Sequence, residues 1–188
     1  MKSKGKNKKK NWLQKAREHW NYNGTIRPPF AVEPKEGQRS VWDFPRPPMI
    51  EKVAKRVTVE HQGQIIADSL NTLAVLETAS PPTYYIPEQD VNMDMLVKMP
   101  GKTSLCEWKG SATYWALREV SAQPVAWSYP NPFPEFELLK DHWAFYPQYL
   151  DCYVDGTKVR PQPGGFYAGW ITPDLVGPFK GEPGTGHW

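Results

Sequence analysis

The stretch "RVTVEHQGQIIADS", residues 56–69, decides the fold class. Val57 and Val59 alternate with polar residues, the chain turns through His61–Gln64, and the apolar pattern resumes at Ile65. Alternation on both sides of a glycine-containing turn predicts a β-hairpin with one face on a core. The same grammar continues outward. "TLAVLET" (72–78) and "TYYIP" (83–87) read as short strands separated by a Pro81–Pro82 break. "SLCEWKG" (104–110) and "ATYWALREV" (112–120) read as a strand pair turning at Lys109–Ser111, followed by single strands in "PVAWSYP" (124–130) and "HWAFYP" (142–147). "DCYVDGTKVR" (151–160) holds Asp155-Gly156, the strongest short hairpin signal of the chain.

Two segments read as helical. In "PEQDVNMDMLVKMP" (87–100), Val91, Met95 and Met99 fall at spacing four, with acids early and a proline stop, which predicts a short helix. "PEFELLKD" (134–141) predicts one helical turn. Eight or nine short strands with two small helices describe a mostly β (α+β) domain, built as a sandwich or barrel. Strands do not alternate with long helices, which argues against a doubly wound dinucleotide fold.

Composition agrees. The 188 residues suit one domain with a real core. Twenty prolines and fourteen glycines cut the chain into short pieces, and nine Trp and nine Tyr exceed what a core of that size needs. The net charge of +3 is misleading until located, because residues 1–10, "MKSKGKNKKK", carry six lysines whose subtraction leaves −3 for the rest. A nucleic-acid groove needs the opposite sign on the domain itself, so only the tail is expected to touch nucleic acid or an anionic surface, and weakly. No apolar run approaches the roughly 20 residues of a membrane span. No apolar segment of a signal peptide follows the basic start either, so a cytoplasmic location is expected.

The organisation expected is a disordered basic tail (1–10), an amphipathic helix with a proline-rich arm (11–49), a single β domain (50–170) and a Gly/Pro-rich C-terminal tail (171–188). In the helix, Trp12, Ala16 and Trp20 line one stripe beside Leu13. A helix this short needs to dock, either on its own domain or on a second copy of the chain, which would make a homo-oligomer.

Several motifs together resemble a known family. "RVTVEHQGQIIADS", "YYIPEQDV", "CEWKGSATYW", "AWSYPNPFPEF", "AFYP" and "YVDG" follow in the order and spacing of the bacterial domain-of-unknown-function family 427, sometimes labelled nucleotidyltransferase-like. The resemblance spans residues 53–156. It implies an Mss4-like, or β-tent, domain of two antiparallel sheets folded against each other, and no established activity. Relatives of that fold commonly hold zinc through two cysteine pairs. Cys106 and Cys152 form no such pairs, so no structural metal is expected.

Candidate chemistry lies in three places. The glycine-rich "RPQPGGFYAGW" (160–170) matches neither a P-loop nor a dinucleotide loop, and Pro161 and Pro163 remove backbone donors an anion would need. Gly164 and Gly165 are expected to allow a close backbone approach, with Phe166, Tyr167 and Trp170 packing on the domain. No cofactor is expected. The favoured surface is "CEWKG" with "YY" and "WSYP", where Trp108 and Lys109 set a flat ring and a cation at a turn, and Tyr84, Tyr85, Trp127 and Tyr129 supply walls. Converged, they would form an aromatic cleft for a small polar or aromatic anionic ligand, nucleotide-like in character. A packed aromatic core is the alternative use of the same rings. Weaker candidates are a Cys₂His₂ site from Cys106, Cys152, His61 and His142, a thiol dyad of Cys106 with either histidine, and a divalent-ion site from Asp68, Glu77 and Glu107. The last would serve a nucleotidyltransferase-like enzyme. A protein-interaction domain working through the N-terminal arm is the further alternative.

Overall fold

The computed structural model describes residues 12–188, and the six-lysine tail lies outside them. Residues 12–18 form an α-helix, α1. Fifteen strands follow: β1 (Arg39–Ser40), β2 (Met49–Lys52), β3 (Val57–His61), β4 (Gln64–Ser69), β5 (Leu73–Glu77), β6 (Ser80–Pro87), β7 (Leu96–Cys106), β8 (Gly110–Leu117), β9 (Val120–Ser128), β10 (His142–Phe145), β11 (Asp151–Val154), β12 (Thr157–Lys158), β13 (Arg160–Pro161), β14 (Trp170–Ile171) and β15 (Leu175–Val176). A seven-stranded antiparallel sheet runs β2-β5-β6-β10-β9-β8-β7, and a four-stranded one runs β12-β11-β3-β4. The chain is a mostly β, α+β domain.

The hairpins form where the residues ask for them. Between β3 and β4, Gln62 and Gly63 take positive φ, as do Asp155 and Gly156 between β11 and β12, the backbone that matches strand twist in a tight hairpin. A bulge opposite Val59 and Glu60 leaves Ile66 as the extra residue of β4, so Ile66 and Ala67 are buried in succession while Ile65 is 47% exposed.

Three expectations are corrected. The β5–β6 turn is at Thr78–Ala79, and Pro81–Pro82 lie inside β6. The irregularity in register between Val75 and Glu77 accommodates them, because no ladder bond is asked of their missing N–H groups. The helix expected across Val91–Met99 is two 3₁₀ turns, Glu88–Asp90 and Met93–Met95, after which Met99 belongs to β7. Pairing of Leu96 with Leu117 and Val97 with Ala116 overrides the spacing-four pattern. The β7–β8 turn comprises residues 107–109, two positions earlier than expected. The helical turn at Pro134–Leu139 is a 3₁₀ helix.

Both faces of the seven-stranded sheet are covered, and period-two alternation divides them. Leu76, Ile86 and Phe145 face Val57, Val59 and Ile66 of the smaller sheet, with Val41 and Trp42 in the same core. Val75, Tyr85, Trp127 and Ala144 point the other way and join Trp108, Phe136 and Leu139 in a second cluster. That second face carries the site.

The arm and the C-terminal residues are wound on this frame together. β1 pairs in parallel with β15, Val32 N donates to Gly177 O at 2.9 Å, and the Trp42 indole donates to Pro178 O at 3.0 Å. Among the described residues no helix is long and apolar enough to cross a membrane.

Candidate functional site

A cavity of about 770 Å³ opens on the second face of the large sheet. Tyr85 of β6, Trp127 of β9, Tyr129 just beyond it, and Trp108 and Lys109 of the β7–β8 turn all line it. Tyr84 does not. Its neighbour position on β6 turns it to the opposite face, where its ring lies 4.9 Å from that of Trp170 in the main core. Five of the six expected wall residues therefore converge.

The rings interlock. Tyr85 stands 6.3 Å, centre to centre, from both Trp127 and Tyr129, and Trp127 is 4.7 Å from Tyr146. Burial pushes the Tyr85 hydroxyl up to about 12 and raises Tyr129 well above its ordinary range, so these walls stay neutral at physiological pH. Tyr85 Oη is buried without a hydrogen bond of good geometry, although the polar edges of Trp127 and Tyr129 are its neighbours; the Trp108 and Trp20 indole N–H groups are also unpartnered. One face of Trp108 is occupied, since the Arg17 guanidinium lies 5.2 Å from its centre.

Lys109 is the charge at the wall. Among the described residues its ammonium makes no ion pair within 4.0 Å. Burial works against that charge, and negative charge at Cys106, Tyr85, Glu77 and Glu107 favours it and raises the pKa above the ordinary lysine value; the Tyr85 share is absent at physiological pH, where that hydroxyl is neutral. The lysine keeps part of its surface open.

Of the three carboxylates considered, Glu77 and Glu107 line the cavity, while Asp68 is on β4 of the smaller sheet, held by Arg56 at 2.7 Å. Glu77 is engaged by Arg46 at 3.3 Å. Among the described residues no three His, Cys, Asp or Glu side chains gather as metal ligands. Cys106 lines the cavity without either histidine, and Cys152 is buried in the main core. The Cys₂His₂ grouping and the Cys–His dyad are thus not assembled.

The terminal segments supply walls that the residues by themselves did not announce. Trp20, beyond the end of α1, enters the cavity, and Trp12 stays 50% exposed, so the expected stripe is split. From the C-terminal side come Gln162, Tyr167 and Lys180. Lys180 sits 4.0 Å from the Trp20 ring centre, and Gln162 donates to Lys180 O at 2.7 Å while accepting from Gly169 N at 3.0 Å. The glycine-rich stretch is a backbone crossing: a Cβ on Gly164 would meet Gly181 O, and none on Gly165 would meet anything. Of its aromatics, Trp170 is fully buried, while Tyr167 and the 80% exposed Phe166 both border the cavity.

No curated protein matches the chain. A family model described as a domain of unknown function (DUF427) matches residues 49–156, which contain β2 to β11 and the turn bearing Trp108 and Lys109. The chain belongs to the DUF427 family.

Proposed function

We propose that the cavity binds a small anionic ligand with a flat polar or aromatic moiety, nucleotide-like in character, and that Lys109 receives its anionic group. The observation carrying this reading is the unpaired Lys109 ammonium in the wall of a cavity lined by Tyr85, Trp108, Trp127 and Tyr129. Its volume, about 770 Å³, falls within the range of roughly 300–1,000 Å³ usual for small-molecule sites. Aromatic faces supply sequence-tolerant stacking, and an ammonium selects phosphate or carboxylate as a point charge. A nucleotidyl-transfer reading would ask for two free carboxylates beside the lysine, and Glu77 is already taken by Arg46. Binding is therefore the reading preferred.

Calorimetric titration of the full chain with nucleotides and sugar phosphates tests it. At least one should bind, and Lys109→Ala should weaken that binding by about tenfold, the equivalent of ~1.4 kcal/mol, with the melting temperature nearly unchanged. Equal binding by parent and variant would remove Lys109 from the site, and no binding across the panel would overturn the reading.

A further inference from the structure

Cys106 and Glu107 lie at the end of β7 and the start of its turn, three and two residues from Lys109, and all three line the cavity. The Cys106 thiol points to Glu107 Oε2 over a long 3.9 Å. Cys106 is close enough to Lys109 that negative charge on its sulfur would favour the ammonium. A thiol, a proton acceptor and a cation thus meet at one wall, beside Tyr85, a residue 1% exposed whose buried hydroxyl makes no hydrogen bond of good geometry. Cys152 shows the contrast: it is 1% exposed in the main core, and desolvation pushes its thiol well up. Reactive thiols occupy partly exposed, electropositive surroundings, and buried apolar ones are inert.

We propose that Cys106 is a nucleophilic thiol that takes an acyl group from an anionic carboxylic ester bound in the cavity, with Glu107 accepting the thiol proton and Lys109 holding the anion in place. The proposal rests on the ligand-binding reading of the same cavity. In the step, the Cys106 proton passes to the Glu107 carboxylate as sulfur attacks the ester carbonyl carbon. The S–C bond forms, and the carbonyl π pair moves onto oxygen. When that pair returns, the bond to the alcohol oxygen breaks, and the departing alkoxide takes the proton from Glu107. Water then attacks the Cys106 thioester, giving one proton to Glu107. The acid is released, and the thiolate recovers its proton from Glu107, so the protein ends as it began.

The test uses the full chain with mono(4-nitrophenyl) glutarate, an anionic activated ester, and neutral 4-nitrophenyl acetate. Intact mass and peptide mapping should find the glutaryl group on Cys106 and none on Cys152, with nitrophenolate released. The anionic ester should react about tenfold faster relative to the neutral one than it does with free glutathione. Lys109→Met should abolish that preference and Lys109→Arg retain it, with melting curves showing both variants folded. Glu107→Gln should shift the pH profile of acylation. The idea fails if Cys106 stays unmodified, or if Lys109→Met keeps the preference. A chain that binds nucleotides but leaves Cys106 inert loses this proposal alone, whereas one that does neither loses both readings.

Discussion

The guanidinium of Arg46 lies 4.2 Å from the centre of the Trp20 indole, against the same ring that the Lys180 ammonium approaches at 4.0 Å. One aromatic side chain from the N-terminal segment thus meets two cations, one from the arm and one from the C-terminal residues. Such stacking is worth roughly 0.5–2 kcal/mol per cation. It also ties three segments to the rear wall of the cavity.

Arg46 should be the most sensitive position of this knot. Its side chain is 3% exposed and donates to Tyr22 O at 3.1 Å, Thr78 O at 3.1 Å and Glu77 at 3.3 Å. Burial lowers its pKa, with Glu77 opposing. Arg46→Ala leaves two carbonyls and a carboxylate without their donor and should cost ~3–5 kcal/mol in denaturant unfolding. Arg46→Lys should recover less than half, because an ammonium cannot serve three acceptors spread along a planar fork. Full recovery by lysine would show that charge alone matters there.

Lys180 should impose a pH dependence. Burial pushes its pKa from 10.5 down to about 8; Arg46 assists, and Glu77 and Glu107 oppose. Below that value both folded and unfolded chains hold the proton, and the cost of the buried charge is fully present. Between pH 8 and 10.5 the unfolded chain binds more protons, so stability rises with pH. Lys180→Met lacks this gain. Urea unfolding from pH 7 to 10 should show the variant losing ground to the parent, by on the order of 1–3 kcal/mol. The tyrosines act oppositely only toward the top of that range, since Tyr85 is raised from 10.0 to about 12. A parent–variant difference that stays flat over the range would contradict the assignment.

The N-terminal residues should divide sharply in importance. Residues 1–10 carry six lysines and no apolar anchor, so a chain starting at Asn11 should melt within a degree or two of the full one. A chain starting at Asn21 loses Arg17, which donates to Glu107 O at 2.8 Å, and Trp20 with its two cations. It should melt several degrees lower and bind ligand less tightly, read by differential scanning fluorimetry with and without the best nucleotide. Equal melting of both truncations would show that the knot contributes nothing.

The strands were legible wherever a single face was buried. Val57 and Val59 announce β3 because the other side of that sheet is solvated, and Asp155-Gly156 announces its hairpin because few residues accept positive φ. Reading failed where tertiary pairing overrode local pattern, as at Met95 and Met99, and where prolines fell into a bulge, as at Pro81 and Pro82. The turn residues Trp108 and Lys109 were visible as a ring beside a cation. Trp20 and Lys180 were not, because nothing in residue spacing says that positions 160 residues apart share one wall. Tyr84 and Tyr85 could not be ranked either, since both faces of β6 are buried and alternation gives no sign of which faces the cavity.

That pair gives the cleanest contrast. Tyr84 and Tyr85 are adjacent, 8% and 1% exposed, and chemically identical, yet they face opposite sides of one sheet. Removing the hydroxyl from Tyr84 should change neither ligand binding nor, by more than about 0.5 kcal/mol, stability, because its ring still packs on Trp170. At Tyr85 the hydroxyl is an unpartnered buried group, a condition that costs roughly 1–3 kcal/mol. Tyr85→Phe should therefore leave the free protein as stable as the parent or more so, by ~1 kcal/mol. If the ligand supplies the missing partner, the same substitution should weaken nucleotide binding severalfold, so stability and affinity move in opposite directions. Urea unfolding and calorimetric titration of both phenylalanine variants read the two quantities separately. A Tyr85→Phe protein that is less stable than its parent would mean the hydroxyl already has a partner. Unchanged affinity in a more stable protein would mean that the ligand never reaches that hydroxyl, and the binding mode would then rest on Lys109 and the ring faces alone.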